Sequence, residues 1–165
     1  MSRDEELLRR LREDLIARYS AGERDFSGID LSYVDVGEFD FTGINLSNAI
    51  LRGTEFWMST FDHANFSGAD LTEADLRWSY FFCADFIGAD LSGTMIKALG
   101  FCGNDFTKAI FRGARLDSVI IEKVKFIETD FTGADFGGTD FSEVKFRQCC
   151  FHNTIMPDGS ICNGL

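Results

Sequence analysis

Ala69-Asp70-Leu71-Thr72-Glu73-Ala74-Asp75-Leu76 is the stretch whose reading decides the fold. A large apolar residue returns five positions on, with a carboxylate directly before it and an alanine two before it. Followed outward in both directions, the register never slips. From Phe26 to Phe151 every fifth residue is Phe, Leu, Ile or Val, giving 26 consecutive units. These units hold 16 of the 18 phenylalanines, so the aromatic content belongs to the repeat and not to a site. A period of five fits neither the helical 3.6 nor the strand period of two. It is a repeat architecture in its own right.

Let the large apolar residue be position i. Position i−2 is usually small, as at Ala49, Ala64, Ala84, Ala89, Ala109, Ala114 and Ala134. Position i−1 is Asp or Asn in 14 of the 26 units, i+1 is often Ser or Thr, and i+2 is often Gly. Over residues 24 to 156 this pattern resembles the pentapeptide-repeat family, A(D/N)LXX. The resemblance implies an all-β solenoid, a right-handed quadrilateral β-helix with four pentapeptides in each 20-residue coil. It places i and i−2 inward and i−1, i+1 and i+2 in solvent. The alternation of large and small residues supports this independently, because a narrow tube packed to crystal-like density needs it. Coils stacked about 4.8 Å apart make a rod roughly 30 Å long, and its two ends need covers.

Residues 1–22 read as an N-terminal capping helix and 23–165 as the β-helix, with a short C-terminal lid from about 153. Ser2 with Glu5 forms a capping box, and Leu7, Leu8, Leu11, Leu15, Ile16 and Tyr19 make an apolar stripe. Pro157-Asp158-Gly159 makes a turn that returns Ile161. Two small-residue slots hold large side chains, Phe39 and Leu99, and Asn104 points its amide inward, where it needs partners.

The net charge is −11, all of it in the repeat, since the helix balances its own charges. Acidity disfavours direct nucleic-acid binding, which needs Lys and Arg against phosphates. No apolar run has the length of a membrane span, and the charged N-terminus lacks a secretory signal, so the expected location is cytoplasmic, with no membrane contact. Five cysteines, an odd number, do not suggest a disulfide framework. Cys83 and Cys102, 19 residues apart, lie diagonally on adjacent coils within disulfide reach, and two free thiols are the reading in a reducing compartment.

Little here looks catalytic. His63 and His152 fall at outward positions, and most Asp and Ser residues recur with the repeat. Cys150 and His152, with Cys162, fall short of the four ligands of a structural zinc site. No enzyme activity, cofactor or metal is expected. Reading down columns of residues 20 apart, the face of Phe26 carries a mixed exterior that ends in Lys125, Lys145 and Arg147, and the face of Leu31 carries acids offset by Arg52 and Arg112. The other two faces differ. Trp57, Met58, Trp78, Tyr80, Phe82 and Ile120, with Met95 close by, stand at outward positions where the repeat asks for Asp, Ser or Gly. Contiguous apolar surface of this kind marks interaction sites, and Trp and Tyr are enriched at hot spots. Asp62, Asp75, Arg77, Lys97 and Glu122 supply a polar rim.

Two functions follow. One is a non-enzymatic scaffold that binds a protein partner, or a second copy of itself, through this patch. The helix followed by Gly22-Glu23-Arg24-Asp25-Phe26, and the closing Ile155-Met156-Pro157-Asp158-Gly159, look like the cyanobacterial members of the family, some of which are associated with regulating cell differentiation. The alternative is a DNA mimic. Family members that protect DNA gyrase are acidic, dimeric rods, but this chain lacks their loop insertions, an evident C-terminal dimerisation helix and a continuous acidic face.

Overall fold

The computed structural model describes residues 3–97 and 100–164. One helix, α1 (Arg3–Ser20), precedes a tube of stacked coils. Residues 20 apart pair in parallel throughout, as in the series Asp25↔Asn45, Asn45↔Asn65, Asn65↔Asp85 and Asp85↔Asp105. The tube is a right-handed quadrilateral β-helix with four faces. The first is built on Phe26, Leu46, Phe66, Phe86, Phe106, Phe126 and Phe146. The second runs from Leu31, the third from Val36 and the fourth from Phe41.

Continuous strands are short and fall in the later coils. They are β1 (Phe81–Phe82), β2 (Met95–Lys97), β3 (Gly100–Cys102), β4 (Arg115–Asp117), β5 (Ile120–Glu122), β6 (Lys125–Ile127), β7 (Asp140–Ser142), β8 (Lys145–Arg147), β9 (Thr154–Ile155) and β10 (Ile161–Cys162). β1, β3, β5 and β7 stack in register on the fourth face, and β6 pairs with β8 on the first.

Both inward positions are buried along the tube except in its first and last coils, where Ile29, Phe39, Phe141, Val144 and Phe146 are partly buried. Phenylalanines one coil apart stack, with ring centroids 4.9 Å apart for Phe66–Phe86 and 4.7 Å for Phe86–Phe106. Rings on neighbouring faces meet edge-on, as for Phe61 and Phe66, and offset and T-shaped pairs are the favoured aromatic geometries. Ser or Thr in the small slot bonds inside the wall. Thr54 donates to the Leu31 carbonyl at 2.8 Å, Ser79 to Phe56 at 2.6 Å and Thr129 to Phe106 at 2.9 Å. Asn104 uses the same geometry, its Nδ2 donating to the Phe81 and Ala84 carbonyls. Its Oδ1 has no partner among the described residues.

Two features of the unit go beyond solvation. The Asp or Asn at i−1 accepts a bond from the backbone N–H of i+1, as in Ser32 to Asp30 at 3.0 Å and Ser67 to Asn65 at 2.9 Å. This is an Asx turn, which removes an unpaired donor from the wall. Position i+2 is left-handed at every described unit from Gly28 to Asn153, with φ between +51° and +73°. In most units the carbonyl of i also accepts from the N–H of i+3, the type II pattern that favours Gly at its third residue.

The helix differs from expectation at its start. Leu7 is exposed, and the buried side runs through Leu8, Leu11, Leu15, Ile16 and Tyr19. Ser2 of the expected capping box, and Leu99, lie outside the described residues. Phe39 is not crowded into the tube. It leans out of the first coil toward α1, where its ring meets Tyr19 edge-on at 5.9 Å. At the far end β9 and β10 form an antiparallel hairpin at the foot of the third face.

Candidate functional site

The third and fourth faces meet along an edge whose two outer columns run Glu38, Met58, Trp78 and Thr60, Tyr80, Gly100, Ile120, Asp140. Met58, Trp78, Tyr80, Phe82 and Ile120 are 56%, 44%, 63%, 48% and 58% exposed, which places all five on the surface. Met95, at 39%, borders them. Trp57 behaves differently. Its indole lies flat on the wall over Gly37, so close that a Cβ there would stand 2.7 Å from the ring. Gly37 is therefore required by packing, and the Trp57 indole is shared between fold and surface.

Trp78 and Met58 occupy left-handed positions, with φ of +58° and +55°. Glycine would hold that backbone more easily by roughly 1 kcal/mol. Large apolar side chains stand here against the local preference of the repeat. Arg77 lies over the Trp78 ring at 5.3 Å from its centroid. The fourth-face column has a gap. Gly100 sits between Tyr80 and Ile120, and Phe82 pairs across to Cys102. The result is a shallow groove of about 430 Å³, lined by Thr60, Asp62, Tyr80, Phe82, Gly100 and Cys102. The sequence pattern marked the large residues and missed the groove, whose signal is the absent side chain at Gly100.

The rim residues are engaged within the protein. With Tyr80 at i−1 there is no Asx oxygen for the N–H of Phe82, which donates instead to Asp62 Oδ1 one coil back at 2.9 Å. Asp75, expected in solvent, is buried and takes the Arg77 guanidinium on both oxygens. Lys97 pairs with Asp117 at 2.9 Å and holds that carboxyl below the usual carboxylate range. Glu122 pairs with Lys123 and holds its ammonium above the ordinary lysine value.

Elsewhere the reactive side chains stay apart. His63 is exposed and meets the Phe82 ring edge-on at 5.7 Å. Cys83 and Cys102 are unlinked, although the Cys83 N–H donates to the Cys102 carbonyl at 2.9 Å. Cys150 lies 3.7 Å from the Thr132 hydroxyl. Among the described residues no three of His, Cys, Asp and Glu are grouped to hold a metal ion. No described helix is long and apolar enough to cross a membrane. What this edge offers chemically is apolar contact area around a groove.

Coil, ladder and overwritten edge define a β-solenoid of five-residue units. Sequence profiles described as pentapeptide repeats match residues 25–56 and 59–94, and again 103–164. The chain belongs to the pentapeptide-repeat family. The profiles pass over 57–58 and 95–102, which contain Trp57, Met58, Met95 and Gly100. No curated protein matches the sequence. Similar solved structures include HetL, a pentapeptide-repeat protein involved in heterocyst differentiation regulation in the cyanobacterium Nostoc (20% identity, 90% of this chain and 98% of that one, TM-score 0.37). Another is Rfr23 from the cyanobacterium Cyanothece (16% identity, 86% and 94% covered, TM-score 0.38). Full-length QnrB1, a plasmid-mediated fluoroquinolone resistance protein, is also similar (19% identity, 76% and 78% covered, TM-score 0.32).

Proposed function

We propose that the protein is a non-enzymatic scaffold whose third-to-fourth-face edge binds a protein partner. The observation that carries this reading is the exposure of five large apolar side chains at positions the repeat assigns to Asp, Ser or Gly. Two of them occupy left-handed backbone that glycine holds more easily. Of the rim charges, Asp75, Arg77, Lys97 and Glu122 are paired with opposite charges within the chain, and Asp62 is engaged by the Phe82 N–H, so the edge suits a largely apolar partner surface. A second copy of the chain fits the same chemistry.

Affinity capture with the native chain and with a Trp78→Ser/Phe82→Ser variant tests the proposal. Neither residue is in the core, so the variant should keep its circular dichroism and melting temperature. The expected result is a bound protein enriched by the native chain and lost from the variant, or a self-association seen by sedimentation and lost in the same way. Equal capture by both chains, with no self-association, overturns it. The DNA-mimic alternative is disfavoured by the ion pairs Arg52–Asp70, Arg77–Asp75 and Arg112–Asp130, which interrupt the acidic columns. A gyrase supercoiling assay separates the two readings, since the scaffold should leave supercoiling unchanged.

A further inference from the structure

Among the described residues, the last coil of the rod is covered on only part of its perimeter. The β9–β10 hairpin finishes the third face. On the fourth and first faces, β7 and β8 each have a strand neighbour on one side only among the described residues, β5 and β6. Along the rod, the N–H of the large inward residue donates to the carbonyl nineteen positions on. Examples are Phe61 to Tyr80 at 2.7 Å, Phe106 to Lys125 at 2.9 Å and Phe131 to Cys150 at 2.8 Å. For Phe141 that acceptor would be Ser160, whose carbonyl instead takes the Met156 N–H within the hairpin at 2.8 Å. Among the described residues nothing accepts the N–H of Glu143 or Gln148 either. The side chains follow suit: Ile121, Val124 and Phe126 are buried, whereas Phe141, Val144 and Phe146, one coil on, are half-buried.

This edge also reverses the charge of the molecule. In a chain of net charge −11, Lys123, Lys125, Lys145 and Arg147 gather around one cavity of about 360 Å³. Val124 and Ile127 give it an apolar lining, and Glu143 is its one acid. Lys123 and Lys125 pair with Glu122 and Asp105. Lys145 and Arg147 have no ion-pair partner among the described residues.

We infer that this edge is a docking site for an extended acidic segment of a partner protein, which adds to the rod as its next rung. An open sheet edge is a template for a further strand, and strand addition takes affinity from main-chain bonds and specificity from alternate side chains. The register fixes the chemistry of the occupant. Its large apolar residues stack on Phe141 and Phe146, a small residue covers Val144, and acidic residues stand over Lys145 and Arg147. A second copy meeting end to end would set the cationic edge against itself, so charge complementarity selects the acidic segment. The site lies at the corner of the fourth and first faces, next to the Trp78 corner and meeting its rim only where Lys123 pairs with Glu122; the inference does not rest on the function proposed above.

The test is fluorescence anisotropy of a labelled peptide, acetyl-Ser-Phe-Ser-Gly-Ala-Asp-Phe-Glu-amide, titrated with the full chain. The control peptide carries Lys in place of both acids. Saturable binding is expected, weakened at least tenfold for the control peptide, for Lys145→Glu/Arg147→Glu and by added salt, and unchanged for Trp78→Ser/Phe82→Ser. The Lys145→Gln/Arg147→Gln variant serves if the charge reversal perturbs folding. Absence of saturable binding overturns the inference, as does equal binding of the lysine peptide or of a folded charge variant. A doubled mass in sedimentation that Lys145→Glu/Arg147→Glu abolishes, without peptide binding, assigns the edge to a second copy and overturns it too.

Discussion

The first coil and the last carry the same five-residue register and end the rod in opposite ways. At the first, α1 lies across the opening. Leu15 and Tyr19 are buried, and the Tyr19 ring meets Phe39 and Phe41 edge-on at 5.9 and 5.3 Å. Its hydroxyl donates to the Thr42 carbonyl at 2.8 Å, Arg12 donates to Gly37 at 3.3 Å, and the Arg24 guanidinium covers its ring at 3.9 Å. The helix thus supplies both apolar cover and hydrogen-bond donors. At the last coil a two-residue strand covers one face, and Phe141 and Phe146 stay partly in water. In a solenoid each coil is stabilised by its neighbours, so the same residue type should contribute differently at the two ends.

The largest test of that comparison sets Phe66 against Phe146. Both belong to the first-face stack and both meet rings on several sides, but Phe66 is fully buried between the coils before and after it, while Phe146 is half-buried with no described coil beyond it. Phe66→Ala should lower unfolding stability by about 3–5 kcal/mol, and Phe146→Ala by roughly half as much because less area is removed from water. Urea unfolding measures both. Equal losses would mean that the C-terminal end is covered in solution. At the other end, Tyr19→Ala should destabilise by about 3 kcal/mol through lost packing. Tyr19→Phe keeps the ring and gives up only the bond to Thr42, about 1 kcal/mol. If the two Tyr19 variants melt together, the helix does not seal the first coil as drawn.

The contrast between the ends also shows what a sequence can disclose. The coil was legible in full, because a strict period of five constrains every inward residue at once, and Phe66 or Leu71 need no further context. The helix was legible as an element, but Leu7 was misplaced: an apolar residue in the first turn satisfies the stripe whether or not the tube reaches that far. Phe39 looked like an overfilled slot because the register does not know that the first coil has space on one side. Asp75 looked like rim, but its burial under Arg77 depends on a side-chain pairing that the column pattern does not contain. The surface edge was half legible. Trp78, Tyr80 and Phe82 announce themselves by breaking the pattern, whereas Gly100 makes the groove by having no side chain, and glycine at an outward position reads as ordinary repeat. Trp57 reads as surface until its partner Gly37 is seen beneath it.

The smallest difference between the ends lies in a single column, Asp40 in the first coil and Asp140 in the last. Asp40 Oδ1 accepts from the Thr42 hydroxyl at 2.7 Å and its backbone N–H at 2.9 Å, and these bonds hold the carboxyl below its ordinary value. Asp140 lies in β7, where no such bond to Ser142 is seen among the described residues. A carboxyl depressed in the folded state stabilises above its unfolded pKa, near 4, and that contribution fades as pH falls through the lower folded value. Asp40→Ala should therefore cost about 1 kcal/mol at pH 7, discounted for solvent exposure. The difference from the native chain should close as pH drops below about 4. Asp140→Ala, which removes no such bond, should cost less than Asp40→Ala at pH 7. Asp40→Asn should keep the turn, since Asn45 already accepts the Ser47 N–H at 3.1 Å, while flattening the acid limb. Urea unfolding at pH 7, 5 and 3 reads all three variants, and a pH-independent gap for Asp40→Ala would show that the turn uses the oxygen and not the charge.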